Sequence, residues 1–130
     1  MVPWAGDDLG TVIKYNAMGV PIEETRGVDP QSGGQKGIKL ERFGLMPPKE
    51  LASVAAVYGF GAKKYADRNW QKGYSWTWSY DALQRHLNLF WAGEFLDSES
   101  GLPHLAHAIF HCLALMYFHN NSIGKDDRKA

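Results

Sequence analysis

The chain has one cysteine among its 130 residues, no net formal charge, and no apolar run long enough to cross a bilayer. Each absence excludes something. A lone Cys112 cannot form an intrachain disulfide, so it reads as a small core hydrophobe in a reducing compartment. A balance of 14 basic and 14 acidic side chains removes the polyelectrolyte argument for a nucleic acid polymer or an anionic membrane surface. The most apolar stretch, residues 102–119, is broken by histidines and does not read as a membrane span. The N-terminus carries Asp7 and Asp8 and no basic run before an apolar one, so no secretory signal is expected and the expected location is the cytoplasm. There is no internal repeat and no sustained strand-like alternation. No Ser-His-Asp order, G-x-S-x-G elbow or dinucleotide fingerprint is present.

What the chain does have is aromatic and aliphatic bulk, 45% hydrophobic and 13% aromatic, enough for one globular core. Residues 102–119 predict a helix. Pro103 suits its first turn, Ser98 and Ser100 offer cap oxygens upstream, and Asn120 and Asn121 give a stop. Apolar residues surround its axis, so it is expected to be buried. Yet His104, His107 and His111 recur at i, i+3 and i+7, within roughly 60° of arc. Imidazoles buried on one stripe need polar partners, and a metal ion, carboxylates or a polar ligand would each serve. His119 falls outside the stripe, near the helix end, and reads as a surface residue.

Residues 75–93 predict a second helix, capped by Ser75 or Ser79, with Asp81 near its first turn and Leu83, His86, Leu87 and Phe90 on one face. Arg85 lies about 100° away round the helix. The connection to the histidine helix is short, so the two should pack antiparallel. Glu94, Asp97, His104 and His107 then meet at one corner, with His86 about two turns back. An earlier helix starts at residues 45–50, with Pro48 near its first position and Glu50 in its first turn. Leu51, Val54, Ala55, Val57 and Tyr58 give it a core face, and Gly59 and Gly61 are expected to punctuate it before a short turn at 62–65. Lys63, Lys64 and Arg68, beside Asn69 and Trp70, suit phosphates and a stacked base, with Trp76 and Trp78 as further stacking candidates. The competing reading is solvated lysines next to core aromatics.

The first 37 residues are weakly patterned. Residues 11–15 suit a short strand. Residues 26–37 are turn chemistry, read as a mobile loop or, less simply, as a glycine-rich phosphate loop with Lys36 and Lys39 as its cations. Residues 120–130 are polar and expected to fray. The fold class predicted is all-α: a small bundle at 38–119 behind a loop-rich arm at 1–37. Two long helices with apolar residues on most sides also lead us to expect a homo-oligomer.

For chemistry, the residues assigned to a divalent ion are His104, His107 and Asp97, and those assigned to catalysis are His86, Glu94 and Asp97. Lys63, Lys64, Arg68, Asn69, Trp70 and Arg85 are assigned to the substrate. The ion is Mg, Mn or Zn, and a mixed His and carboxylate set suits Zn or Mn better than an all-oxygen Mg cage does.

The runs at 61–70, Arg85-His86, Gly93-Glu94 and 97–107, in that order, resemble the phage dATP/dGTP diphosphohydrolase N-terminal-domain family, over about residues 38–118. The resemblance implies a phage or prophage protein, an all-α fold and deoxynucleoside triphosphates as substrates. That family is in turn similar to the MazG-like pyrophosphohydrolases, which split a triphosphate into monophosphate and pyrophosphate using Mg held by E-x-x-E and E-x-x-D helices. This chain departs from them. His104-Leu-Ala-His107 stands where the E-x-x-D helix is expected, Glu94-Phe-Leu-Asp97 carries that spelling at a helix end, and the preceding helix offers only Asp81 and His86. At position 111 the resemblance leads one to expect Asn. Three functions therefore stand side by side: a metal-dependent nucleotide pyrophosphohydrolase, a non-catalytic module that sequesters a host nucleotide signal, and a helical interaction domain whose histidines pair with Asp and Glu.

Overall fold

The computed structural model describes residues 15–20 and 25–129, which fall into two compact units, 1–46 and 47–130. In the first unit, β1 (Thr25–Val28) and β2 (Gln35–Ile38) form an antiparallel hairpin, with Thr25 opposite Ile38 and Val28 opposite Gln35. The turn is built by Asp29, whose Oδ1 accepts the N–H groups of Gln31 at 2.9 Å and Ser32 at 2.8 Å. Gly33 takes φ +75°, a left-handed conformation that favours glycine. The stretch expected as a mobile loop is thus a closed hairpin, and the chain is predominantly helical, not all-α. The strands escaped the sequence reading because each has only four residues and neither alternates. The turn also spends its amides internally: Gly33 donates to the Asp29 carbonyl and Gly34 to the Ser32 hydroxyl, which leaves no cradle for a phosphate between Lys36 and Lys39. Of the strand expected at 11–15, residues 11–14 lie outside the described residues; the Tyr15 hydroxyl accepts the Leu40 N–H at 2.6 Å.

The second unit holds α1 (Pro48–Lys64), α2 (Trp76–Trp91) and α3 (His104–Asn121), with a 3-10 turn at Asn69–Lys72 between the first two. Pro48 opens α1 and Glu50 sits in its first turn, where a missing N–H and a negative charge both suit the helix end. Gly59 and Gly61 do not interrupt it. Each costs about 1 kcal/mol against alanine, and burial of Val54 and Val57 one to two turns earlier anchors the helix regardless. Helices α2 and α3 run antiparallel: His86 meets His104, Ser79 meets His111, and Trp76 meets His119.

Two small cores hold the helices. Val54, Val57 and Ala106 join α1 to α3, with Tyr58, Leu102 and Phe110 around them. Trp76, Ala114 and Phe118 join α2 to α3, with Trp70, Tyr74, Tyr117 and Ile123 around them. The expectation that α3 is buried on every side fails, because two neighbouring helices cannot enclose a third. Ile109, Leu113 and Met116 are exposed, and Cys112 with them, so Cys112 is not a core residue.

The C-terminal segment is not frayed. Trp76 donates its backbone N–H to the Lys125 carbonyl at 3.0 Å and its indole N–H to Ile123 at 2.9 Å. Gly124, at φ +76°, passes so close to the Tyr74 carbonyl that a side chain there would collide with it. The Asp127 carboxylate accepts both the N–H and the hydroxyl of Thr77. The acceptor at the start of α2 is therefore Asp127, fifty residues downstream, and neither Ser75 nor Ser79 caps it. No described helix is long and apolar enough to cross a membrane.

Phe118 is fully buried at the junction of α3 with the Trp70 and Tyr74 rings. Phe118→Ala is expected to lower unfolding free energy by about 3–5 kcal/mol in denaturant titrations. A loss under about 1 kcal/mol would place the main core elsewhere.

Candidate functional site

The histidines gather where α2 ends and α3 begins. Helix α2 contributes His86, the connection at 92–103 contributes Glu94, Asp97 and Ser100, and the first turns of α3 contribute His104, His107 and His111. The His86 ring enters from the facing helix between two rings one turn apart on α3. It lies 4.6 Å from His107 at an interplanar angle of 7°, and 6.0 Å from His111 at 22°.

His104 has no exposed surface. Its Nε2 is 2.6 Å from Glu94 Oε2, and its Nδ1 is 2.9 Å from Nδ1 of His86. A carboxylate only accepts, so Nε2 of His104 carries a proton, and with no second proton on the ring its Nδ1 is a lone pair. Two facing Nδ1 atoms at that distance must share something positive. A proton on His86 would leave the Nε2 of His86 bare, as a base. A cation would instead take the Nδ1 lone pairs of both rings. Asp97 completes the set: His86, His104 and Asp97 each offer a ligand atom, all within 4.8 Å of one another, the one such group among the described residues.

Around this trio a second layer of hydrogen bonds is complete. Asp97 Oδ2 accepts the N–H of Ser100 at 2.8 Å and of Glu99 at 3.2 Å. Ser100 Oγ lies 2.7 Å from His107 Nε2 and accepts the Leu102 N–H at 3.1 Å. His111 Nδ1 meets the fully buried Ser79 hydroxyl at 3.0 Å, and that hydroxyl meets Tyr74 OH at 2.5 Å.

Burial holds the imidazoles of His86, His107 and His111 below their ordinary range. For His86 the neighbouring His107 adds to burial and Asp97 opposes it. For His107, Asp97 is the main opposing charge. His111 is pushed down to about 4, by burial first and then by His86 and His107. Burial pushes the Asp97 carboxyl up, but the Ser100 amide and side chain, with the charges of His107 and His86, bring it below the usual carboxylate range. At neutral pH His86, His107 and His111 are therefore held neutral beside an ionised Asp97, with lone pairs to give.

The predicted site residues fall into two groups. His86, Glu94, Asp97, His104 and His107 are brought together. Within them His86 stands in the three-ligand group, and His107, expected there, has its Nε2 taken by Ser100. Lys64 reaches this connection by pairing with Glu99 at 2.6 Å. Arg85 is close enough to add to the repulsion that disfavours protonated His86 and His111. Lys63 and Arg68 are exposed, Arg68 at φ 57° just before the 3-10 turn that Asn69 opens. The Trp70 ring makes T-shaped contacts with Tyr58, Phe110 and Tyr117 and is part of the core packing. Three partners were missed. Ser100 and Ser79 read in sequence as helix caps, and Tyr74 carries no signal until Ser79 is seen between it and His111.

A three-helix unit with a histidine and carboxylate corner defines a class: helical proteins whose site lies at the end of an antiparallel helix pair. Residues 30–128 match the family described as dATP/dGTP diphosphohydrolase, N-terminal, and the chain belongs to that family. A dATP/dGTP diphosphohydrolase from Salmonella phage PMBT28 is 33% identical over 97 residues, which cover 72% of this chain and 33% of that relative. The chain thus spans about a third of the length of the curated relative it matches. No solved structure matches it.

The depressed imidazoles make stability depend on pH. Unfolded histidine takes up its proton near 6.5 and folded His111 only near 4, so between those values the unfolded chain binds more protons. Stability should therefore rise with pH through that window and fall on acidification, and Asp97 adds to the loss lower down. His111→Asn should make the slope shallower, read as the shift in urea midpoint between pH 5 and pH 7. An unchanged slope would mean that His111 is not held neutral.

Proposed function

We propose that this chain is a phage nucleotide hydrolase that converts a deoxynucleoside triphosphate to its monophosphate and pyrophosphate with a divalent ion held by His86, His104 and Asp97. One observation carries the reading: two imidazole Nδ1 atoms 2.9 Å apart, with Glu94 fixing the proton of His104 on the far nitrogen. Two imidazoles and one carboxylate fit Mn or Zn better than Mg. Such an ion would neutralise phosphate oxygens and ease deprotonation of the attacking water. Glu94 then acts on His104 from behind, as carboxylates commonly do for metal-binding histidines. Lys63, Lys64, Arg68 and Arg85 supply positive charge for the phosphate chain, and Asn69 and the aromatic side chains near it supply contacts for the base. The family and the name of the phage relative support a dATP-like or dGTP-like substrate. The cytoplasm of the infected cell is the corresponding location.

The exposed apolar residues of α2 and α3, among them Tyr80, Leu87, Ile109, Leu113 and Met116, support assembly into a homo-oligomer, because a lone chain would leave them in water. Sedimentation velocity should then give more than one chain per particle; a monomer at micromolar concentration would overturn that part.

The hydrolase is tested by incubating the full chain with each dNTP and Mn, Zn, Co, Ni or Mg, and assaying pyrophosphate. Release with a purine dNTP, abolished by EDTA and lowered at least 100-fold in His104→Ala, is expected. Tight binding with intact nucleotide recovered on heating would replace the hydrolase with a sequestering module. Neither binding nor turnover would reduce the site to a polar core.

A further inference from the structure

We propose that Ser100 is the positioning residue that sets which side chains form the three-ligand corner: it orients Asp97 into the corner and keeps His107 out of it. The inference rests on the metal-site reading above.

Ser100 bonds at both its backbone and its side chain. Its N–H is donated to Asp97 Oδ2, and with the Glu99 N–H it forms a two-donor clasp on that one oxygen. The same turn is locked through the backbone, where the Asp97 carbonyl accepts the Gly101 N–H and the Asp97 N–H donates to the Leu102 carbonyl, both at 2.8 Å. The carboxylate cannot rotate freely, because turning Oδ2 away would strand two amides.

The hydroxyl has the second role. Its oxygen accepts the Leu102 N–H and lies 2.7 Å from His107 Nε2, and the tautomer of His107 follows from which of these two atoms holds the proton between them; in the proposed arrangement the hydroxyl holds it. A hydroxyl donating there makes Nε2 the acceptor nitrogen and puts the proton of a neutral His107 on Nδ1. That uses the lone pair with which His107 would otherwise bind an ion. The competition is close, since the same Nε2 is only 3.9 Å from Asp97 Oδ2. With Nε2 tied to Ser100, His107 serves as the flat wall on which His86 lies, and His86 takes the ligand position. One serine thus sets two stacked histidines apart as a wall and a ligand.

The test compares the full chain with Ser100→Ala, Ser100→Thr and His107→Gln, using Co(II) as the probe ion and 15N imidazole spectra of the metal-free protein. The metal-free wild type should show His107 protonated at Nδ1. Ser100→Thr should keep that tautomer and the wild-type Co(II) spectrum. Ser100→Ala should release the tautomer, alter the visible spectrum and weaken Co(II) binding by about 10–100-fold. His107→Gln should still bind Co(II) with two imidazoles, which keeps the proposal testable should Ser100→Ala fail to fold. The proposal is overturned if Ser100→Ala keeps the His107 tautomer and the Co(II) affinity, or if His107→Gln loses an imidazole ligand. If wild type binds no Co(II), the metal reading falls; the metal-free tautomer then decides by itself whether Ser100 controls His107.

Discussion

Everything at this corner depends on one buried ring. His104 is enclosed on all sides and has a polar atom at each edge. An imidazole in that position is tolerable only if both nitrogens are matched, and the two available matches are of opposite kinds, a carboxylate at Nε2 and another imidazole at Nδ1. The carboxylate removes the choice of tautomer. With Nε2 holding the one proton of a singly protonated ring, the far side must meet a donor or a cation. The requirement passes to His86 and from there to the rings that flank it. The antiparallel packing of α2 on α3 is thereby tied to the state of a single proton or ion.

This corner also explains why α3 is built as it is. Its histidine stripe faces α2, Ala106 packs against Val54 and Val57 of α1, Ala114 packs against Trp76 of α2, and Phe118 anchors the other end. The C-terminal segment contributes to the same rigidity from the opposite end of the pair. Asp127 and Lys125 hold the first turn of α2, so α2 has a fixed start as well as a fixed finish. The outer face of α3 has no part in this arrangement, and it keeps aliphatic residues in water on the isolated chain.

The helices were legible because their signals are local. Pro48 and Glu50 mark the start of α1, and the spacing of the three α3 histidines puts them on one stripe whatever the partner. The antiparallel corner followed from a short connection. What stayed hidden depends on residues far apart in sequence. The hairpin strands have no alternation to read, and Thr77 finds its acceptor in Asp127, at a separation that no capping rule spans. Cys112 was read as buried because its helix is apolar all round, yet the burial of any one position depends on how many neighbours the helix has. His107 and His86 are indistinguishable by residue type, and their partners separate them: His86 faces His104 and His107 faces the Ser100 hydroxyl.

The spelling Glu94-Phe-Leu-Asp97 shows how far a motif can be carried. On a helix, residues three apart share a face and two carboxylates there could bind one ion together. Here both lie in the connection that follows α2, and the chain between them has turned. Glu94 has gone behind His104, where it governs a proton, and Asp97 has gone beside the Nδ1 pair, where it offers an oxygen. In the proposed metal site the two carboxylates take a supporting role and a ligand role, and histidine nitrogens would stand where a second and third carboxylate otherwise would. A site with one anionic ligand carries less negative charge than a cage of four. It therefore suits an ion that bonds well to nitrogen, and it repels an incoming triphosphate less strongly. The departure from an all-carboxylate pattern is thus consistent with phosphate chemistry, provided the metal changes with the ligands.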